Sequence, residues 1–286
     1  MRDQYKYILD KSSKKFKCPN CGKKTFVKFI DAETLNYLSE AVGRCDRESK
    51  CGFFHQPNSN LIIQPKVAYK TIGCNRSYHN EKDLVSHSNN YRQNNFVAYL
   101  LNNFAPIDVK QIIKKYFLGT TTLWNGATIF WQVDEVMRVR AGKIMLYNCN
   151  TGSRIKKPYN HISWMHKKMK LDNFVLQQCL FGLHNLCDYK EGDTICVVES
   201  EKTAIIMSIL NPAYLWLATG SKANFKEELL RPLKNFNIIA YPDKSEYKIW
   251  KLKAQELMVM GYNIVCSDLL EDKNIEEGDD LVDFIS

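Results

Sequence analysis

ICVVESEKTAII, residues 195–206, runs from an apolar strand straight into a helix and sets two carboxylates, Glu199 and Glu201, at the junction. Ile195, Cys196, Val197 and Val198 show no polar alternation, the pattern of a strand covered on both faces. The same unit recurs downstream. KTAIIMSIL reads as a helix, AYLWLA as a strand, KANFKEELLRPL as a helix and NIIAY as a strand. SEYKIWKLKAQELMVM then reads as a helix, YNIVC as a strand and DDLVDFI as a short closing helix or turn. Such alternation predicts a mostly parallel sheet with helices on both faces, whose sites form beyond the carboxyl ends of the strands.

Those ends carry Glu199, then Thr219-Gly220-Ser221, then Asp243 to Glu246, then Asp268 and an acidic tail reaching Asp279 and Asp280. Carboxylates crowded at one edge repel one another unless a cation joins them, and oxygen ligands select Mg²⁺ or Mn²⁺. For the tail acids alone, a solvated rim is the plainer reading. Glu201 falls in the first turn of its helix, where the helix dipole is reason enough for an acid.

Charge is unevenly spread. Net charge is +9 over 286 residues. The last 96 residues hold 17 acids against 10 bases, and the first 190 hold 30 bases against 14 acids. A basic front suits a polyanion such as nucleic acid, and an acidic back suits a divalent cation. A hydrophobic share of 45% permits a sizeable core and argues against wholesale disorder. The opening MRDQYKYILDKSSKKFK has no apolar signal region. The uncharged run Thr203–Ser221 is interrupted by Asn211-Pro212, so helix, turn and strand explain it better than a membrane span. A soluble cytoplasmic protein with reduced thiols is expected, without a disulfide framework.

FKCPNCGKK places Cys18 and Cys21 on one tight turn, relieved by Gly22, and RCDRESKCG supplies Cys45 and Cys51. Two such pairs around a hairpin predict a zinc ribbon with a closed, structural four-thiolate site. The second spacing, five intervening residues instead of two, departs from the usual knuckle, and His55 is an alternative ligand. Lys14, Lys15, Lys17, Lys23, Lys24 and Lys28, with Phe16, Phe26, Phe29, Tyr37, Phe53 and Phe54 among them, suit a single strand, although several rings must serve as the ribbon's core. Residues 57–95, polar and irregular, read as a linker.

The middle segment opens with NNFVAYLLNNF and residues 107–116 as helices. Strand-like runs ATIFWQVD, VMRVRAG and KIMLYN follow, giving a mixed α+β segment. Its bases fall at strand ends and turns: Arg138, Arg140, Lys143, Arg154, Lys156 and Lys157. Arg138 and Arg140, two apart, project from one strand face, where paired guanidiniums can bind phosphates or simply be solvated.

VVESEKTAI, ATGSKANF and YPDKSEY together resemble the Toprim domain of primases, topoisomerases and related nucleases, over residues 191–286. Glu199 matches that family's strand-end Glu and Asp243 the first Asp of its Asp-x-Asp pair. Ser245 stands where the second Asp is usual, with Glu246 one residue on, and Asp279 and Asp280 match the closing acidic segment. The order of zinc ribbon, basic α/β segment and Toprim domain is similar to bacterial and phage primases, as are YLLNNFAPIDVKQIIKKYFLG and LFGLHNL.

The resemblance implies a ribbon over 1–60, a linker over 61–95, a primase-type subdomain over 96–190 and a Toprim domain over 191–286. It also implies metal-dependent synthesis of short RNA primers on single-stranded DNA from nucleoside triphosphates, with a helicase encoded elsewhere as a further partner. Glu199, Asp243, Glu246, Asp279 and Asp280 would be catalytic, with Glu199 and Asp243 holding Mg²⁺ or Mn²⁺. Arg138, Arg140, Lys143, Lys156 and Lys157 would position template, and Lys202 and Lys222 would steady phosphates. The length suits an accessory or mobile-element protein. A Toprim nuclease and a non-catalytic DNA-binding module are the alternatives.

Overall fold

Short apolar runs separated by turns give strands at the front of the chain, and longer periodic runs give helices behind them. In the computed structural model the described residues are 6–12, 14–47, 51–57, 76–271 and 278–285. The chain divides into two compact units, residues 1–73 and 74–286.

The first unit is an antiparallel sheet of β1 (Tyr7–Leu9), β2 (Phe16–Lys17), β3 (Lys24–Asp31), β4 (Gly43–Cys45) and β5 (Phe54–His55), ordered β1-β3-β4-β5 with β2 also on β3. Gly43 lets β4 lie close to β3, because a Cβ there would strike the Val27 carbonyl and the Phe26 ring. The buried cluster at the thiols is Phe26, Cys18 and Cys45, with Phe16, Cys21, Cys51 and Phe53 against it, and Val27 and Ile30 are buried besides. So few apolar side chains cannot hold a unit this small without a staple. Lys28, read as a surface base, is buried in β3. It pairs with Glu40 at 2.5 Å and lies 3.9 Å from the centroid of the Phe16 ring.

The second unit opens with α1 (Glu81–His87), capped by Asn80 and Asp83 in a reciprocal capping box. Residues 58–75 lie outside the described residues. The rest of the segment read as linker is ordered, because Leu84 turns inward and is buried against Trp131 and its neighbours. Asn94 caps α2 (Asn95–Asn103), and Pro106 opens α3 (Pro106–Lys115). The antiparallel sheet β6 (Leu118–Thr121), β7 (Ala127–Val133), β8 (Val139–Met145), β9 (Ile162–Trp164) follows in that order, and α4 (Met165–Lys168) lies after β9. VMRVRAG and KIMLYN are one strand, not two. Gly142 does not break β8, because it is the small residue that Trp131 and Met165 pack against.

The last third alternates as expected: β10 (Thr194–Val198), α5 (Glu201–Leu210), β11 (Leu215–Ala218), α6 (Glu227–Leu230), β12 (Asn237–Tyr241), α7 (Tyr247–Val259), β13 (Asn263–Cys266) and α8 (Leu281–Ile285). All neighbouring strands are parallel, ordered β11-β10-β12-β13. KANFKEELLRPL departs from the single helix expected. It is a 3-10 turn, the single turn α6 and a second 3-10 turn, since Phe225 leaves helical geometry and Pro232 removes a backbone donor. The antiparallel and parallel parts share one core that runs from Phe96 and Tyr116 to Trp216 and Ala218. The buried Tyr116 hydroxyl crosses between them, 2.5 Å from Ser208 Oγ and 2.7 Å from the Trp216 carbonyl.

Candidate functional site

Two sites are built by these folds, one of thiols and one of carboxylates. The turn at Cys18–Cys21 and the end of β4 bring Cys18, Cys21, Cys45 and Cys51 together with all four sulfurs within 4.8 Å of one another. Cys18 and Cys51 are 3.7 Å apart and Cys21 and Cys45 4.0 Å. Zinc–thiolate bonds of about 2.3 Å in a tetrahedron set sulfurs about 3.8 Å apart, so the cage has the size of a zinc ion. The Lys23 backbone N–H, the largest influence, brings the Cys21 thiol down to about 6, whereas burial pushes Cys18 up to about 11. The longer loop to Cys51 closes on the same point, and His55 is exposed in β5 outside the cluster.

The carboxylate site lies at the carboxyl edge of the parallel sheet. Glu199 follows β10 and is only partly exposed. Burial raises its pKa, aided by Glu246, while the Lys222 backbone N–H, Lys222 and Lys143 oppose the rise. Asp243 follows β12, and burial, then Glu199 and Asp280, push it up to about 8. These acids therefore repel across a shared space, which is what a cation would relieve. Among the described residues no three carboxylates come within 4.8 Å of one another.

Asp243 gives a pH test. Its folded pKa lies above the ordinary carboxylate value, so its contribution to stability is full below that value, near 4, and is lost as pH rises through about 8. Asp243→Asn is expected to be more stable than the parent at pH 9 by about 1–2 kcal/mol, with no gain near pH 4. Thermal unfolding in metal-free buffer at both pH values reads this, and parallel pH profiles for the two proteins would sink it.

The remaining predicted acids are held differently. Glu246 pairs with Lys222 at 2.7 Å. Asp280 is buried and caps α8, accepting from Val282 N at 2.9 Å and from the Thr203 hydroxyl at 2.5 Å, with Lys202 at 3.4 Å. The Asp279 carbonyl accepts from Lys244 N, and Gly278 N donates to the Lys244 carbonyl, so the tail is stitched to the loop that presents Asp243. Ser245 is exposed with φ 75°, a left-handed position that serine seldom takes.

The basic residues are brought into more contacts than their sequence positions suggest. Arg138 and Arg140 both grip the buried Asp134, at 2.9 and 2.7 Å, and Arg140 is itself buried. Lys143, read as a template contact, is buried. Its Nζ lies 3.0 and 3.1 Å from the two oxygens of Glu201 and 2.7 Å from the Gly220 carbonyl. Glu201 is 1% exposed, so the helix dipole does not account for it; it is half of an ion pair joining β8 to α5. The sequence did hold a signal. Helix α5 is buried almost all round, and an acid in such a helix points inward to a partner. Lys202 lies 3.4 and 3.5 Å from Asp280 and Asp283, and Lys222 is the more exposed of the two. Lys156 and Lys157 are exposed on the loop before β9, and among the described residues neither has an ion pair.

The family described as a domain of unknown function (DUF6371) matches residues 94–244, more than half of the chain, and the chain belongs to it. A zinc beta-ribbon finger family matches residues 5–66. No curated protein matches in sequence. Solved structures similar to the chain are primase fragments. The primase fragment of the bacteriophage T7 primase-helicase protein is 13% identical over 88% of each chain, with a TM-score of 0.42. The RNA polymerase domain of Mycobacterium tuberculosis primase DnaG is 11% identical over 71% of this chain and 76% of that one, with a TM-score of 0.48. The Aquifex aeolicus primase, zinc-binding and RNA polymerase domains, is 11% identical over 97% of this chain and 77% of that one, with a TM-score of 0.42. Among the described residues no helix is long and apolar enough to cross a membrane.

Proposed function

We propose that this protein is a primase-type nucleotidyltransferase that joins ribonucleotides on a single-stranded DNA template. The observation that carries the reading is the meeting of Glu199 and Asp243 at the carboxyl edge of a parallel sheet, each held above its ordinary carboxylate pKa by burial and by acidic neighbours. Two acids so placed would hold Mg²⁺ or Mn²⁺, which supplies charge neutralisation of the triphosphate and activation of the attacking hydroxyl.

In the reaction the primer 3′-oxygen bonds to the α-phosphorus, the bond from that phosphorus to the bridging oxygen breaks, and pyrophosphate leaves with the electron pair. The hydroxyl proton passes to solvent. Lys222, exposed beside Glu199, is free to exchange its Glu246 partner for phosphate oxygens. Lys202, anchored by Asp280 and Asp283, keeps a fixed positive charge near Asp243. Lys156 and Lys157 would meet template phosphates, and the zinc ribbon would supply a further contact to the single strand.

Primer synthesis from ribonucleotides on single-stranded DNA tests the proposal. Glu199→Ala is expected to lose at least about a hundredfold in rate while keeping the parent's thermal stability. Undiminished synthesis in that variant would remove the metal role. Nicking without synthesis by the parent would make the protein a nuclease, and DNA binding with neither would make it a binding module.

A further inference from the structure

Helices α1, α2 and α3, with the 3-10 turn Tyr91–Gln93, surround a cavity of about 610 Å³ on the second unit. Its floor is aliphatic: Val97, Val109 and Ile113 are all buried. Its lips are exposed, with Val85 at 62% and Leu101 at 47%. An open apolar space of this size on a surface is a docking feature.

Three bases line the same opening: Arg92, Lys110 and Lys114. Among the described residues none of the three is in an ion pair. Lys110 and Lys114 stand four apart on α3 and so lie one above the other on a single face. The groove therefore offers an apolar trough beside a line of positive charge with one-turn spacing. The complement is a helix with apolar residues on one face and acids four apart on the flank.

Two other occupants fit less well. The exposed apolar helix of this chain, α7, shows Ile249, Leu252 and Val259, but it carries Lys248, Lys251 and Lys253 against Glu256 and would meet like charge in a second copy. Nucleic acid stacks on exposed rings, and the two rings that line the groove, Tyr91 and Phe117, are only partly exposed, whereas its aliphatic residues Val85 and Leu101 are open.

We propose that this groove binds an acidic amphipathic helix of a partner protein, through a site separate from the acidic sheet edge. The probe is a fluorescent helical peptide of about 18 residues, with leucines at i, i+3, i+4 and i+7 and glutamates flanking them. A scrambled peptide of the same composition is the control. Anisotropy against the full chain is expected to show saturable binding, at least about tenfold tighter than the scrambled peptide. The double variant Lys110→Glu/Lys114→Glu and, separately, the lip variant Leu101→Asp are each expected to weaken it by about tenfold or more.

These positions are exposed, and an unchanged far-ultraviolet spectrum and melting curve confirm that the variants fold. The readout does not depend on whether the chain makes primers, so the two proposals fail separately. Absent binding, equal binding of the scrambled peptide, indifference to both variants, or displacement by a single-stranded oligonucleotide would each overturn the inference.

Discussion

Removing zinc from the first unit is expected to unfold that unit and leave the second intact. Metal binding supplies about 10–16 kcal/mol of apparent folding free energy to small zinc modules, more than such a sheet can draw from its apolar contacts. Among the described residues those contacts amount to Phe26, Val27, Ile30 and the cysteines, with Phe16 and Phe53 alongside. Without metal, the four sulfurs that lie within 4.8 Å of one another have no ion to join them. Cys45→Ser, which removes a buried ligand from β4, should behave as chelation does. Proteolysis that nicks residues 6–57 after chelation but spares 76–271, together with one bound zinc per chain before it, is the predicted pattern. A metal-free protein whose first unit resists protease would refute it.

The second large effect concerns Lys143 and Glu201. Breaking a buried ion pair from one side costs roughly 3–5 kcal/mol, because the remaining charge has no solvent and no partner. Lys143→Met strands Glu201 at 1% exposure. The melting temperature should fall by roughly 6–20 °C for a unit of this size. Adding Glu201→Leu to the same chain should recover most of the loss, since neither charge is then left alone. A double variant no better than the single would show that the pair does not act as a unit. The test also separates a structural tie from the template contact expected of Lys143, since the latter would change DNA affinity without changing stability.

Much of this architecture was legible because period and composition agree along the chain. The bare run Ile195–Val198 could be a covered strand and little else, and the positions of Glu199 and Asp243 follow from where strands must end. Cys18 and Cys21 were plain from spacing, and Cys51 only from its pairing with Cys45. What escaped depends on contacts between segments distant in sequence. Lys143 and Glu201 are 58 residues apart, and a lysine in a strand reads as surface until its partner is placed. Arg138 and Arg140 do share a face, but that face has Asp134 on it. Leu84 sits in a run of Asn, Ser and His that looks solvated, and only the packing against Trp131 orders it. The groove between α1, α2 and α3 was invisible because its residues are each ordinary in a helix.

Tyr116 has a consequence for how the second unit comes apart. Its hydroxyl ties the α3 end to both α5 and β11. Burial drives its pKa far up, so the group stays neutral and bonded across the usable pH range. A buried hydroxyl that bonds both a helix and a strand distant in the chain cannot leave its place without breaking both bonds. The amides of β7 and β10, whose Phe130 and Val198 belong to the same core as Tyr116, should exchange with solvent in one concerted opening, at the same free energy. Expression of residues 96–190 or 191–286 alone should give aggregated chains, each with half of a core that needs its other half.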